Sequence, residues 1–312
     1  MLRDGEWVAD WQPVQAKDDK GGFVRQTSSF RNWVTPDGAP GPTGEGGFKA
    51  EPGRYHLYVA LICPWASRTL IGRKLKGLED VISVSVVEPE LSDQGWRFGD
   101  PTEAEGASYM HEIYTRADPG ISGRATVPVL WDKARGTIVN NESADILRML
   151  NSGFGELADD CVDLYPADLR EEIDALNDRI YPALNNGVYR TGFATTQVAY
   201  EEAFREVFAM LDELEDRLAD GRDFLSGDRF TEADVRLSVT LVRFDVAYHG
   251  LFKCNLRRIA DYPALSRYQE RILAIPGVRD TVNVDHIKRG YYSIKALNPT
   301  GIVPLGPECS LG

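Results

Sequence analysis

Tyr55-His56-Leu57-Tyr58-Val59-Ala60-Leu61-Ile62-Cys63-Pro64-Trp65-Ala66 is the stretch on which the fold turns. Tyr55, Leu57, Val59 and Leu61 alternate with their neighbours, the period of a strand with one buried face, and the signal stops just before Cys63-Pro64. Proline suits the first turn of a helix, where its missing N–H would have had no partner anyway. Trp65, Ile71 and Leu75 give the following segment an apolar helical face, and Gly77 supplies a stop. Val81-Ile82-Ser83-Val84-Ser85-Val86-Val87, rich in β-branched residues, predicts a second strand after a short turn. A strand-helix-strand crossover is right-handed and makes its two strands parallel.

Further along, after a polar stretch containing glycines, Ala125-Thr126-Val127-Pro128-Val129-Leu130-Trp131 reads as a strand whose proline confines Val127-Pro128 to a strand start or edge, a fitting place for a cis peptide. Thr137-Ile138-Val139 predicts another strand beyond the turn residues 132–136, and Asn141-Glu142-Ser143 opens a helix carrying Ile146, Leu147 and Leu150. Strand-helix-strand followed by strand-strand-helix is the layout of a thioredoxin-like domain, which we assign to residues 51–155.

Beyond residue 160 the strand signal vanishes, and helical periodicity runs over 169–184, 200–218, 233–248 and 264–274. Thr231-Glu232-Ala233-Asp234 places a capping threonine three residues before an acid, which satisfies the exposed amides of a helix start. The fold class is therefore α/β plus all-α: a thioredoxin-like domain, then an all-helical domain over 160–312 that ends in an extended tail around Asn298-Pro299-Thr300-Gly301. Residues 1–50, with Gly38-Ala39-Pro40-Gly41-Pro42 as their extreme, bury too little to form a core. They predict an irregular arm, ordered where Trp7, Trp11, Phe23, Phe30 and Trp33 dock.

A net charge of −13 over 312 residues argues against nucleic acid or an anionic membrane as partner, since both would repel the chain. No apolar run is long enough to span a bilayer, and Met1-Leu2-Arg3-Asp4-Gly5-Glu6-Trp7 lacks the apolar centre of a signal peptide, so a cytoplasmic protein is expected. The four cysteines, Cys63, Cys161, Cys254 and Cys309, form no C-x-x-C pair, no histidine stands at metal-ligand spacing from any of them, and the four histidines are scattered along the chain. Neither a disulfide scaffold nor a metal site is expected.

Chemistry concentrates at Cys63. At the amino end of a helix, exposed N–H groups favour thiolate over thiol, lowering a value that is about 8.5 in a free cysteine. Three residues on stands Ala66 where a dithiol enzyme has its second cysteine. Without an internal resolving thiol, a mixed disulfide must be handed to an external one, and glutathione is the candidate. Val127-Pro128 offers backbone groups with which an extended peptide pairs as an added strand. Glu142 is suited to the α-amino group of such a peptide and Ser143, at a helix start, to its carboxylate. Trp96, in a polar loop, would wall the site, and Arg124 would pair with a ligand carboxylate.

The strings Tyr58-Val59-Ala60-Leu61-Ile62-Cys63-Pro64-Trp65-Ala66, Thr126-Val127-Pro128-Val129-Leu130-Trp131-Asp132 and Ile138-Val139-Asn140-Asn141-Glu142-Ser143 resemble those of the glutathionyl-hydroquinone reductases, the Xi class of glutathione transferases. Tyr189-Arg190-Thr191-Gly192-Phe193-Ala194, Arg243-Phe244-Asp245, Phe252-Lys253-Cys254-Asn255-Leu256, Asp285-His286-Ile287-Lys288 and Asn298-Pro299-Thr300-Gly301-Ile302 extend the resemblance over nearly the whole chain. It implies an enzyme that cleaves the thioether of a glutathionyl-hydroquinone, leaving free hydroquinone and oxidised glutathione. No bound cofactor is implied, glutathione serving as co-substrate. Cys63 would be the nucleophile; Trp96, Arg124, Ala125, Thr126, Val127, Glu142 and Ser143 would hold glutathione. Tyr189 would protonate the departing ring, while Tyr248 and Tyr291, or its neighbour Tyr292, would lower the thiol's pKa and line the ring pocket. The resemblance also implies a homodimer. Ser67, Ala125, Leu251 and Gly290 depart from the family pattern, which bears on ring specificity and on the placement of Tyr291 more than on the nucleophile.

Two other functions share these residues: a general glutathione-dependent thiol transferase or dehydroascorbate reductase, also working through Cys63, and a non-catalytic ligand-binding protein that keeps the fold alone. A third, a conjugating transferase, would activate glutathione through serine or tyrosine and dispense with Cys63.

Overall fold

The structure, a computed structural model, describes residues 1–9 and 13–308. Trp11 and Cys309 lie outside the described residues. The chain falls into two compact units, Met1–Trp11 with Gln26–Asp163, and Gln12–Arg25 with Leu164–Gly312.

In the first unit β1 (Tyr55–Val59), α1 (Pro64–Leu75) and β2 (Ile82–Val86) open the fold, followed by α2 (Met110–Ala117), β3 (Val129–Asp132), β4 (Thr137–Asn140) and α3 (Ser143–Arg148). The four strands form one sheet in the order β2-β1-β3-β4. Leu57 faces Val84 across the expected parallel pair and Leu130 across an antiparallel one; Trp131 faces Ile138 on the far side of a bulge.

Three local expectations need correction. β1 is buried at every residue instead of on alternate ones, because both faces of the sheet are covered. His56 is accommodated by Ser83 and Ser85, and Tyr58 by the rings of Phe98 and Trp131. α1 turns Ala66, Thr69, Ile71 and Gly72 inward and leaves Trp65 and Leu75 only half-buried. Gly72 decides this face, since a Cβ there would stand 2.7 Å from Leu147 Cδ1 of α3, so the two helices close where a side chain is missing. Finally, α2 was not anticipated within the polar stretch, although Met110, Ile113 and Tyr114 recur at helical spacing and are buried.

The second unit contains α4 (Arg170–Ile180), α5 (Gly187–Gly192), α6 (Gln197–Leu218), α7 (Glu232–Arg243), α8 (Pro263–Ala274) and α9 (Val284–Tyr292). The short α5 and α9 lie outside the segments that helical periodicity marks. α4 and α7 each run into a π-helical turn, Tyr181–Asn185 and Phe244–Tyr248. At the start of α7, Asp234 accepts from the Thr231 N–H (2.8 Å) and hydroxyl (3.1 Å), from the Leu225 N–H (2.8 Å) and from the Tyr268 hydroxyl (2.8 Å). The capping residue is thus also the link between α7, α8 and the loop before them. In the tail, Asn298 donates to the carbonyl of Tyr292 and Lys288 to that of Leu305.

The first fifty residues are divided between the units. Leu2–Arg3 pairs with Glu6–Trp7, and Leu2 also bridges to Gly123. Arg31 bridges to Asn140, and the Asn32 N–H donates to the Val139 carbonyl, so this segment runs along the outer edge of β4. In the second unit, Phe23 packs on Phe193 at 5.4 Å and the Thr195 N–H donates to the Gly21 carbonyl. Among the described residues no helix is long and apolar enough to cross a membrane.

Candidate active site

In the first unit β1 delivers the chain to Cys63, which is the N-cap of α1 in extended backbone geometry, with Pro64 in the first turn. Cys63 is unbridged and half-buried, and its thiol donates to the carbonyl oxygen of Val127 at 3.4 Å. Val127-Pro128 is a cis peptide immediately before β3. Cys161 is exposed and Cys254 is enclosed, where burial pushes its thiol up to about 12. Of the described cysteines, only Cys63 combines a helix start with partial access.

The other residues expected to hold a peptide ligand are tied together by two side chains that the sequence did not single out. Tyr114 of α2 donates to the Thr126 carbonyl at 3.0 Å, and Asn141 donates to the Tyr114 hydroxyl, also at 3.0 Å. Tyr114 is buried, which raises its pKa and keeps it a donor. The strand start at Thr126-Val127 is thereby locked to the loop that carries Glu142. Glu142 is the N-cap of α3; one carboxylate oxygen accepts from the Ala144 N–H at 3.2 Å and the other from the Ser28 hydroxyl at 2.9 Å. Ser143 is buried and accepts from the guanidinium of Arg68, itself buried in α1, at 3.3 Å. Arginine only donates, so the serine proton remains available to an anionic ligand. Arg124 and Ala125 are half-buried, the Arg124 N–H donating to the Gln26 side chain at 2.9 Å. Trp96 is half-buried in the loop before α2, and its carbonyl accepts from the Met110 N–H.

The three expected tyrosines meet in the second unit. The Tyr291 hydroxyl of α9 lies 2.5 Å from that of Tyr189 on α5 and 2.8 Å from that of Tyr248. Phe252 stacks on Tyr248 at 5.2 Å and meets the edge of Tyr189 at the same distance. Tyr248 and Tyr291 are fully buried, and desolvation holds both well above the ordinary phenol range, so they stay protonated. Tyr189 is the half-buried end of this chain of hydroxyls, with the Arg25 guanidinium 4.8 Å from its ring centre. Tyr291 rather than Tyr292 joins the cluster. Leu251 and Gly290 are both buried and stand close to members of the cluster in sequence.

Family models for the N-terminal and C-terminal domains of glutathione S-transferases match residues 62–152 and 197–271. Glutathionyl-hydroquinone reductase PcpF of Sphingobium chlorophenolicum is 52% identical over 98% of this chain and 96% of its own. Glutathionyl-hydroquinone reductase YqjG of Escherichia coli is 52% identical over 98% of this chain and 95% of its own. The chain belongs to the Xi-class glutathione transferases. The solved glutathione-bound structure of YqjG superposes with a TM-score of 0.90 at 49% identity, covering 99% of this chain and 96% of that one. The glutathione transferase Xi of Phanerochaete chrysosporium superposes with a TM-score of 0.87 at 49% identity, covering 93% and 94%. The thioredoxin-like domain followed by a helical one is thus the architecture of this class.

Proposed function

We propose that this chain is a glutathionyl-hydroquinone reductase that works through a mixed disulfide between Cys63 and glutathione. The observation that carries the reading is Cys63 itself: an accessible, unbridged thiol at the N-cap of α1, with Ala66 where a resolving cysteine would stand. A thiol so placed forms a disulfide with a substrate sulfur and needs an external thiol to release it.

A glutathionyl-hydroquinone has a keto tautomer in which the ring carbon bearing sulfur is saturated. The Cys63 thiolate attacks that sulfur, the sulfur–carbon bond breaks, and its electron pair leaves with the ring as an enolate. Protonation of the enolate gives the free hydroquinone. A second glutathione thiolate then attacks the Cys63 mixed disulfide, releasing oxidised glutathione and regenerating the Cys63 thiolate. We assign the proton to Tyr189, and to Tyr248 and Tyr291 the tasks of lowering the thiol's pKa and lining the ring pocket. The tripeptide is assigned to Trp96, Arg124, Ala125, Thr126, Val127, Glu142 and Ser143, with Glu142 on its α-amino group. Glutathione is the co-substrate, a homodimer is the form that the resemblance implies, and the cytoplasm is the location proposed from the sequence.

The test is mass spectrometry after incubation with a glutathionyl-hydroquinone. One glutathione on the peptide containing Cys63, removed by added glutathione and missing from Cys63→Ala, is the expected result. Full turnover by Cys63→Ala would overturn the mechanism and favour a conjugating enzyme.

A further inference from the structure

The segment that follows the second unit's share of the amino-terminal arm lies beside the carboxylate assigned to the ligand's amino group. The Phe30 N–H donates to the Asn141 side-chain oxygen and the Phe30 carbonyl accepts from the Asn141 N–H, both at 3.1 Å. Arg31 forms a two-pronged ion pair with Asp145 of α3 at 2.5 and 3.0 Å. Asn140 donates to both the Asn32 carbonyl and Asp145. These bonds fix the backbone of residues 30–32, and with it the place of Ser28 two residues earlier. The Ser28 hydroxyl has one proton, and its shorter contact is with the second carboxylate oxygen of Glu142, at 2.9 Å; the Asn141 carbonyl is at 3.3 Å.

We propose that Ser28 is a positioning residue for glutathione recognition, holding the Glu142 carboxylate in the orientation that receives the γ-glutamyl ammonium group. This rests on the assignment of Glu142 to that amino group. A carboxylate fixed at one oxygen only, by the Ala144 N–H, remains free to swing about its last torsion. The bond from Ser28 fixes the other oxygen, so the ammonium group meets an acceptor already in place and less ordering is lost on binding. The arm, which lies outside the segments matched by the family models, thereby becomes a wall of the tripeptide site.

The experiment compares two thioether substrates on the full chain at one fixed glutathione concentration: a glutathionyl-hydroquinone, and the same hydroquinone joined to glutaryl-cysteinyl-glycine, which is glutathione without its α-amino group. The parent should prefer the glutathionyl substrate in kcat/KM, and Ser28→Ala should reduce that preference about tenfold, chiefly through the KM for the glutathionyl substrate. Ser28→Thr, which keeps the hydroxyl, should restore it. A merely structural effect would weaken both substrates alike and leave the ratio where it was; an unchanged ratio in Ser28→Ala overturns the proposal. A parent that makes no distinction between the two substrates would overturn the assignment of Glu142 instead, and the role of Ser28 with it.

Discussion

The thiol of Cys63 donates to the carbonyl oxygen of Val127 across 3.4 Å. That contact suits the protonated sulfur, because a thiolate has no proton to give and is repelled by carbonyl lone pairs. A peptide that pairs with Val127 as an added strand takes over this carbonyl and removes the thiol's acceptor. Adding γ-glutamyl-aminobutyryl-glycine, a tripeptide of glutathione's shape without its thiol, should therefore raise the ultraviolet thiolate absorbance of the parent at fixed pH. Cys63→Ala should show no such rise. A parent whose absorbance stays flat at saturating tripeptide would separate the Val127 carbonyl from the activation of the sulfur.

The linked hydroxyls of Tyr189, Tyr291 and Tyr248 assign different costs to the same substitution. Tyr189→Phe removes the half-buried phenol and should lower kcat by about a hundredfold, the usual worth of a general acid, with little change in the urea midpoint. Tyr291→Phe removes the hydroxyl shared by the other two. It should lower kcat and also cost about 1–2 kcal/mol of stability, since the buried Tyr248 and the half-buried Tyr189 each lose a hydrogen bond. Equal stability losses in the two variants would contradict the central place of Tyr291.

His56 predicts a fall in stability on mild acidification. Burial, helped by Lys133 and Arg73, lowers its pKa from 6.5 to about 4. The unfolded chain therefore takes up a proton before the folded one does, and stability is lost as pH falls from about 6.5 towards 4. Above pH 6.5 both states are neutral and the group adds no pH dependence. The loss is on the order of 3 kcal/mol. Urea midpoints between pH 7 and 4.5 should fall less steeply for His56→Gln than for the parent; parallel curves would remove His56 from the account.

Asp234 is the acceptor on which the start of α7 depends. Asp234→Ala leaves the buried N–H groups of Thr231 and Leu225 without their acceptor and should destabilise the protein by about 3 kcal/mol. Chemical denaturation measures it, and a loss below about 1 kcal/mol would show that water or a shifted backbone replaces the carboxylate.

What could be read from the sequence was what local chemistry encodes. Cys63-Pro64 after a strand, Val127-Pro128 before one and Thr231 capping α7 each announce themselves within a few residues, and each stands where it was expected. The alternation drawn through β1 failed because His56 and Tyr58 find buried partners on β2, β3 and the loop before α2, and no pattern within β1 reports that second covering. Tyr114, Arg68 and Ser28 were missed because their partners are 12, 75 and 114 positions away, and an isolated tyrosine, arginine or serine carries no mark of them. Nothing local marks Tyr189, Tyr248 and Tyr291 among the thirteen tyrosines; only the family resemblance does.

The run of residues 30–32 alongside β4 has a consequence for the fate of the chain as well as for its chemistry. An outermost strand with its N–H and C=O groups bare is a template for other molecules to join, and here the Asn32 amide already occupies the Val139 carbonyl while Arg31 sits opposite Asn140. A version cut back to begin at β1 would carry Cys63 and the whole sheet, yet present β4 as a sticky border prone to self-association and precipitation.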